Sequence, residues 1–390
     1  MAHQSAVDAP GVKIMSRVAL TCNLPVWRGT AAEPVQELHL RQFTLIESAT
    51  GLLSQVVEDS EAAAQYAEDD YAFITPPPGT SAWATSVSAP YLAFLRECVN
   101  IDGKVLFDIG AGSTYFAEEL TSEPNSAASA IVVDPAVSPS PSHRVQVVRD
   151  WWQESTSQRH GLPDPNLIVS SNCLEHVPDV PNFLSACRTA LAPKNGDLIL
   201  IFPDVASQLS MGDWNSLLHE HVSYFTMETA RALFASIGFT EVRAHSEYDT
   251  LYFHLRSGPV MGVQPADIPA FDPHPFSTVL GSFSHAAQTA VPGQPRQLAL
   301  VGATNGLNNV LSLTGECFAK GLYVYDSDDF KVGRYLPALH DPIRHVTDSR
   351  IRDAYTVIIT AMTFFDDIRS RLVNELGVAD SRIQPLCPRD

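Results

Sequence analysis

Lys104-Val-Leu-Phe-Asp-Ile-Gly-Ala-Gly-Ser113 is the stretch on which the reading of this chain turns. The apolar run Val105, Leu106, Phe107 ends in Asp108 and breaks into Gly110-Ala-Gly112, after which Tyr115 to Leu120 can open a helix. Strand, glycine turn and helix in that order aim backbone N–H groups at a ligand. A dinucleotide fingerprint requires a third glycine three places after the second, where helix meets strand beneath a pyrophosphate. Tyr115 stands there instead, which disfavours NAD and FAD. An acid just before the glycines suits a ligand with a cationic amino acid end; an ordinary glycine turn after a strand is the plainer alternative.

Outward from that turn, residues 100–257 alternate strand and helix. Expected strands are Val105–Ile109, Ala130–Val133, Val145–Val148, Leu167–Ser170, Leu198–Phe202, Val242–His245 and Leu251–Leu255, with helices at Val180–Leu191 and Met227–Ile237, the latter closed by Gly238. Continuous apolar strands in βα units imply an α/β fold with a mostly parallel, doubly wound sheet. The last two strands lack an intervening helix and should form a terminal antiparallel hairpin. Before this domain, a helix over Ser88–Val99 is expected, with Ser88 as N-cap and Pro90 in the first turn. Residues 1–85 have no clear period and read as a small irregular module, with short strands within Val18–Leu53 and an acidic helix over Glu58–Asp70. The boundaries are then a ligand-binding domain over 86–257, a proline- and histidine-rich linker with one helix over 258–296, and a second, smaller Rossmann-like α/β domain over 297–390.

A chain of 390 residues exceeds one typical core, in keeping with this division. The 44 acids outnumber 25 Lys and Arg for a net charge of −19, a surface that repels phosphate backbones, so nucleic acid is not an expected partner. Six scattered cysteines contain no Cys-x-x-Cys pair and support neither a disulfide framework nor a Cys-rich zinc site. With no long apolar run and no leader-type N-terminus, the expectation is a soluble, cytoplasmic protein with no membrane partner, a monomer or small homo-oligomer.

Four further stretches carry chemistry. Ile131-Val-Val-Asp134-Pro ends the second strand, where a carboxylate can accept both hydroxyls of a ribose; a solvated Asp in a turn is the bland alternative. Arg149-Asp150-Trp151-Trp152 follows the third strand: Asp150 and Trp151 can hold an adenine, or the tryptophans are core. Asn172-Cys-Leu-Glu175-His176-Val-Pro-Asp179 follows the fourth strand and lines the crevice, with His176 facing a substrate or capping the next helix. Leu218-His219-Glu220-His221-Val-Ser-Tyr224-Phe225 follows the fifth. In an extended loop His219, His221 and Ser223 share one face, and Glu220, Val222 and Tyr224 the other. A neutral imidazole suits general-base work on a weak carbon acid. A metal lacks further ligands nearby in sequence, so none is expected, and two surface histidines are the default.

The Asp-x-Gly-x-Gly pattern at Asp108, Gly110 and Gly112 resembles motif I of the class I S-adenosylmethionine (SAM)-dependent methyltransferases. More specifically, the chain from about residue 40 resembles the deoxysugar C-methyltransferases that act on nucleotide-linked ketosugars in antibiotic pathways. The resemblance rests on the His-Glu-His-x-Ser-Tyr-Phe stretch, on Tyr71, and on a C-terminal domain carrying Tyr325-Asp-Ser-Asp-Asp-Phe-Lys331-Val-Gly333-Arg334-Tyr-Leu-Pro337 and Gly302-Ala303-Thr-Asn305-Gly306. It implies SAM as cofactor, held by Asp108, Gly110, Gly112, Asp134, Asp150, Trp151 and Asn172. It further implies C-methylation, with His221 as base, Glu220 tuning it, His176 nearby, and Tyr71 and Tyr224 bonding substrate oxygens. His219, Lys331 and Arg334 would meet the substrate, the two cations at a nucleotide diphosphate or else as structural parts of a turn.

The chain also departs from that family. Ile46-Glu-Ser-Ala-Thr-Gly-Leu52 replaces the N-terminal zinc-site cysteines, so this module should hold by packing, as a divergent, degenerate zinc-site region. Leu218 replaces a tyrosine, Asp249-Thr-Leu-Tyr252 an expected Gly-Gly-Ser, and Asn305 a lysine. Two other readings therefore stand beside C-methylation: a catalytically inert homologue that binds SAM or another ligand, and O- or N-methylation of a small molecule.

Overall fold

The computed structural model describes residues 16–48, 50–57, 82–122, 126–261, 270–288 and 298–389. Tyr71 and the expected acidic helix over Glu58–Asp70 lie outside the described residues. The chain begins with three antiparallel strands, β1 (Arg17–Pro25), β2 (Leu40–Glu47) and β3 (Leu53–Gln55). Helix α1 (Ala82–Cys98) leads into β4 (Val105–Ile109), α2 (Tyr115–Thr121), β5 (Ser129–Val133) and β6 (Val145–Val148). Next come α3 (Thr156–His160), β7 (Leu167–Ser171), α4 (Val180–Leu191), β8 (Asp197–Pro203) and α5 (Ala206–Met211). A two-residue strand β9 (Ser223–Tyr224), α6 (Met227–Ile237), β10 (Phe239–Glu247) and β11 (Thr250–Ser257) complete this part.

The central sheet has the order β10-β11-β8-β7-β4-β5-β6. Its strands β8, β7, β4, β5 and β6 pair in parallel, whereas β11 is antiparallel to both β8 and β10. This is the expected doubly wound sheet with its terminal hairpin. Strands β4, β5, β7 and β8 are buried almost throughout because helices cover both faces, which is why they read as unbroken apolar runs.

One helix differs from its expected extent. The helix begins at Ala82, so Ser88 does not cap it: its hydroxyl donates to the Thr85 carbonyl within the helix, 3.0 Å away. Pro90 lies in the interior and forfeits one ladder bond. Apolar spacing after Ser88 was a sound signal for helix, but a serine followed by proline is not unique to helix starts.

The C-terminal part is a second parallel sheet. Helix α7 (His274–Gln288) precedes β12 (Leu298–Val301), α8 (Asn305–Leu313), β13 (Leu322–Asp326), β14 (Arg344–His345), β15 (Thr356–Ile359), α9 (Phe365–Asn374) and β16 (Ile383–Pro385). Strand order is β14-β13-β12-β15-β16. Helix α7 is more than a spacer: Phe276, Val279, Phe283 and Ala287 join the same core as Leu298–Val301 of β12. Leu24, Trp27, Phe43, Leu45 and Leu53 of the N-terminal sheet belong to that core as well. The N-terminal module is thus held by packing onto the C-terminal domain, with Cys22 among the free cysteines. Strand β9 pairs with β3, so the Ser223-Tyr224 segment extends the N-terminal sheet.

Candidate active site

The crevice opens at the carboxyl ends of β4 and β7, where the strand order reverses direction and α/β sheets bind ligands. β4 delivers Asp108, which is wholly buried, and neither carboxyl oxygen has a hydrogen-bond partner. Burial, reinforced by the nearby Asp134, pushes its pKa up to about 8. Gly110 and Gly112 follow with φ of 67° and 64°, the left-handed region that favours glycine. A Cβ at residue 110 would stand 2.1 Å from the Cys173 thiol sulfur, so only glycine fits between the turn and β7's following loop.

Asp134 ends β5 and braces the turn. Its Oδ2 accepts from the Gly112 N–H at 3.0 Å, and its Oδ1 from the N–H groups of Ala136 and Val137 at 2.8 and 3.2 Å. A carboxylate has about four acceptor sites, which leaves one for a ribose hydroxyl. Asp150 is less free than expected: its Oδ2 accepts from Arg159 at 2.7 Å and contacts the His160 ring nitrogen at 2.8 Å. Its neighbour Trp151 is exposed, while Trp152 is core, edge-on to Phe107.

On the β7 side, Asn172 adopts φ 48°. Its side chain and that of Thr250 lie near the Tyr91 hydroxyl, which brings Tyr91 of α1 to the crevice. Tyr91 was legible only as an apolar position on a helix. A short helical turn, Leu174–His176, then carries Glu175 and His176 inward. The Glu175 carboxyl is buried with Oε2 unpartnered, and burial pushes its pKa up to about 8. His176 Nδ1 lies 2.8 Å from the Glu220 carbonyl. A carbonyl only accepts, so Nδ1 carries the hydrogen and Nε2 presents its lone pair. The His176 and His221 rings meet edge-on, centroids 5.0 Å apart. Burial lowers His176 to about 4, and burial together with His176 holds His221 well below the ordinary imidazole value. Both rings are therefore neutral near pH 7.

The loop carrying His221 is folded, not extended. The His221 N–H donates to the Leu218 carbonyl at 3.1 Å, closing a turn that sends His219 and His221 different ways. His219 is buried edge-on against Phe43 of β2, away from a substrate, and burial lowers its pKa to about 4. Tyr224 is likewise unavailable to substrate: it is fully buried and its hydroxyl donates to the Leu218 carbonyl at 3.0 Å. The expected alternation assumed an extended backbone, which this turn removes. The Glu220 carbonyl is what orients His176.

The two C-terminal cations are engaged elsewhere. Arg334 donates to the Thr30 carbonyl at 2.6 Å and to its hydroxyl at 3.0 Å, which ties the C-terminal domain to the N-terminal module. Lys331 reaches the Asp326 carboxylate at 3.2 Å and the Ala303 carbonyl at 3.4 Å, at the carboxyl end of the second sheet.

The sheet order, with an acid and a glycine turn at the reversal point, defines a class I methyltransferase fold. Residues 84–244 match the family described as a methyltransferase domain. The chain is 31% identical over 93 residues to the C-methyltransferase NovU of Streptomyces niveus, a stretch covering 24% of this chain and 21% of that protein's length. Among solved structures it is similar to an S-adenosylmethionine dependent methyltransferase from Mesorhizobium loti (15% identity, 43% of this chain and 97% of that one, TM-score 0.33). It is also similar to the CurJ carbon methyltransferase (16% identity, 46% and 56%, TM-score 0.32). Residues 84–244 thus match a methyltransferase domain, a class whose cofactor is SAM. The residues fit that cofactor: the unpartnered Asp108 carboxyl is what a cationic α-amino group would satisfy, and Asp134 retains an acceptor for a ribose.

Proposed function

We propose that the protein is a C-methyltransferase that acts on a keto compound, with His221 as base. The observation that carries this reading is the pair of neutral, half-buried imidazoles, His176 and His221, whose rings meet edge-on at the crevice. SAM, when bound, supplies an electrophilic methyl group. His221 takes the proton from the carbon beside the acceptor's carbonyl, and the C–H electron pair moves onto that carbonyl as an enolate. His176 stands against His221 with its tautomer set by the Glu220 carbonyl, so the polar environment is fixed before reaction. The enolate carbon would be the nucleophile for the methyl group that a bound SAM gives up, its methyl–sulfur bond breaking in the transfer. In this reading Tyr91, near Asn172, lines the acceptor's side of the crevice.

A nucleotide-linked ketosugar of antibiotic biosynthesis is the acceptor class that the resemblance favours. Arg334 and Lys331 both already serve acceptors within the protein, which argues for a weaker phosphate grip or a related keto compound without one. His221→Asn should abolish both methyl transfer and solvent deuterium exchange at the acidic carbon, while SAM binding persists. Unchanged exchange in that variant would remove His221 from the role, and product NMR separates carbon from oxygen or nitrogen methylation.

A further inference from the structure

Three of the side chains just described also form a constellation that proton transfer does not explain. Glu175, His176 and His221 each offer one ligand atom, and these atoms lie within 4.8 Å of one another. Among the described residues no other such group is present. We propose that Glu175, His176 and His221 form a binding site for one divalent first-row transition-metal ion.

Three independent features support the site. The Glu175 carboxyl is 3% exposed, and its Oε2 has no partner, a buried acceptor that a cation would satisfy. The His176 Nδ1–H bond to the Glu220 carbonyl is the outer-shell contact that metal-bound histidines use to hold the ligating nitrogen in place. Finally, the Glu175 backbone is anchored to the loop bearing His221: the Val222 N–H donates to the Glu175 carbonyl at 2.7 Å. The two ligand-bearing segments thus move as one. His176 Nε2 and Glu175 Oε1 are 3.7 Å apart. Metal–ligand bonds of about 2.1 Å in tetrahedral geometry need ligand atoms about 3.4 Å apart, so side-chain rotation suffices to close the shell.

The donor set also selects the ion. Two imidazoles and one carboxylate suit Zn2+, Co2+ or Fe2+, whereas Mg2+ and Ca2+ favour all-oxygen shells. Three protein ligands leave at least one position for water or an acceptor oxygen. The proposal rests on the reading of this crevice but not on the base assignment, because an ion on His221 takes the lone pair that a base would use. Metal-loaded and proton-accepting forms of the site exclude each other.

The test titrates chelator-treated full-length protein with CoCl2, followed by visible absorption and calorimetry. The expected result is one equivalent of Co2+ with ligand-field bands, displaced by ZnCl2. Glu175→Gln and His176→Gln should each weaken binding at least tenfold, while His345→Gln, on the surface of the C-terminal domain, leaves it unchanged. Far-UV circular dichroism and SAM calorimetry on the same samples report folding. Absence of the bands in the wild-type protein, or equal affinity in both folded ligand variants, would overturn the site. If no Co2+ binds but His221→Asn still loses methyl transfer, the metal site falls and the proposed function stands. If Co2+ binds as expected and His221→Asn still transfers methyl groups, the base assignment falls and the metal site stands.

Discussion

Asp108 offers the sharpest test of how the crevice receives its cofactor. In the protein alone its carboxyl is wholly buried without a partner, and its pKa rises from 3.8 to about 8. In the unfolded chain the group ionises near its ordinary value, whereas the folded state keeps the proton until about pH 8. Between these limits the native state binds more protons than the unfolded state, so stability falls as pH rises, then levels off above about pH 8. One pH unit is worth at most about 1.4 kcal/mol, so from about pH 4 to pH 7 the loss reaches at most about 4 kcal/mol. Asp108→Asn removes the ionisation while keeping the shape. Urea unfolding of wild type and variant without SAM should therefore give similar stabilities near pH 4, with the variant increasingly more stable towards pH 8.

The cofactor should reverse the advantage. An α-amino cation beside Asp108 restores the carboxylate, so SAM binding at pH 7 should release close to one proton, and affinity should rise with pH until about pH 8. Calorimetry in two buffers of different ionisation enthalpy counts that proton. Asp108→Asn should release none and bind more weakly by roughly 10- to 150-fold, the value of about 1.5–3 kcal/mol for a charged hydrogen bond. A stability difference that does not change with pH, or equal proton release by both proteins, would refute the assignment of Asp108 as the partner of the cationic end.

Gly110→Ala should abolish SAM binding and destabilise the fold by more than about 2 kcal/mol, since the new Cβ meets the Cys173 sulfur at φ 67°; calorimetry and urea unfolding check both. Tyr248 is an exposed tyrosine at φ 48° in the β10–β11 turn, so Tyr248→Gly should raise stability by up to about 1 kcal/mol, read as a shift of the urea midpoint. Asn305→Lys, which restores the residue usual in the resembling family, should cost at least about 3 kcal/mol because position 305 is buried and its amide serves the Leu217 carbonyl.

The central sheet was legible because each parallel strand is buried on both faces and so appears as an uninterrupted apolar run; Val105–Ile109 and Val145–Val148 match residue for residue. Helix α6 was legible with its closing Gly238, at φ 91°, and α4 over its full extent, but the N-cap of α4 is Asp179, whose side chain accepts from the Asn182 N–H, and not His176. Position at a strand's carboxyl end placed Asp108, Asp134 and Asn172 at the crevice. What stayed illegible depended on long-range contacts. No local pattern shows that Tyr224 turns back to the Leu218 carbonyl, or that His219 is drawn away by Phe43, some 176 residues earlier. Arg334 likewise resembled a phosphate ligand because its partner, Thr30, lies at sequence separation 304. Glu175 stood in the quoted stretch beside His176, but only the three-dimensional fold brings the two together with His221.

Asn305, read from the sequence as a departure from the resembling family, has a structural role at the loop that carries His221. The Asn305 amide donates to the Leu217 carbonyl at 2.9 Å, and the Asn309 amide to the Trp214 carbonyl at 3.0 Å, so α8 grips the segment just before the histidines. The Trp214 indole N–H donates to the Phe276 carbonyl of α7 at 3.2 Å. Past the histidines, Ser223 and Tyr224 pair with β3, and Phe43 buries His219. Fixing backbone costs roughly 1–2 kcal/mol per residue, while each neutral hydrogen bond returns only about 0.5–1.5 kcal/mol. The loop's own turn at Leu218–His221 cannot offset the ordering of Trp214–Phe225, and burial of Trp214, Leu217, Tyr224 and Phe225 must supply the remainder. Trp214, Leu217 and Tyr224 share a core with the flanking domains, whereas Phe225 belongs to the central sheet's core. The position of the His221 imidazole therefore depends on more than the central sheet: the N-terminal sheet and the C-terminal domain hold its loop from both ends.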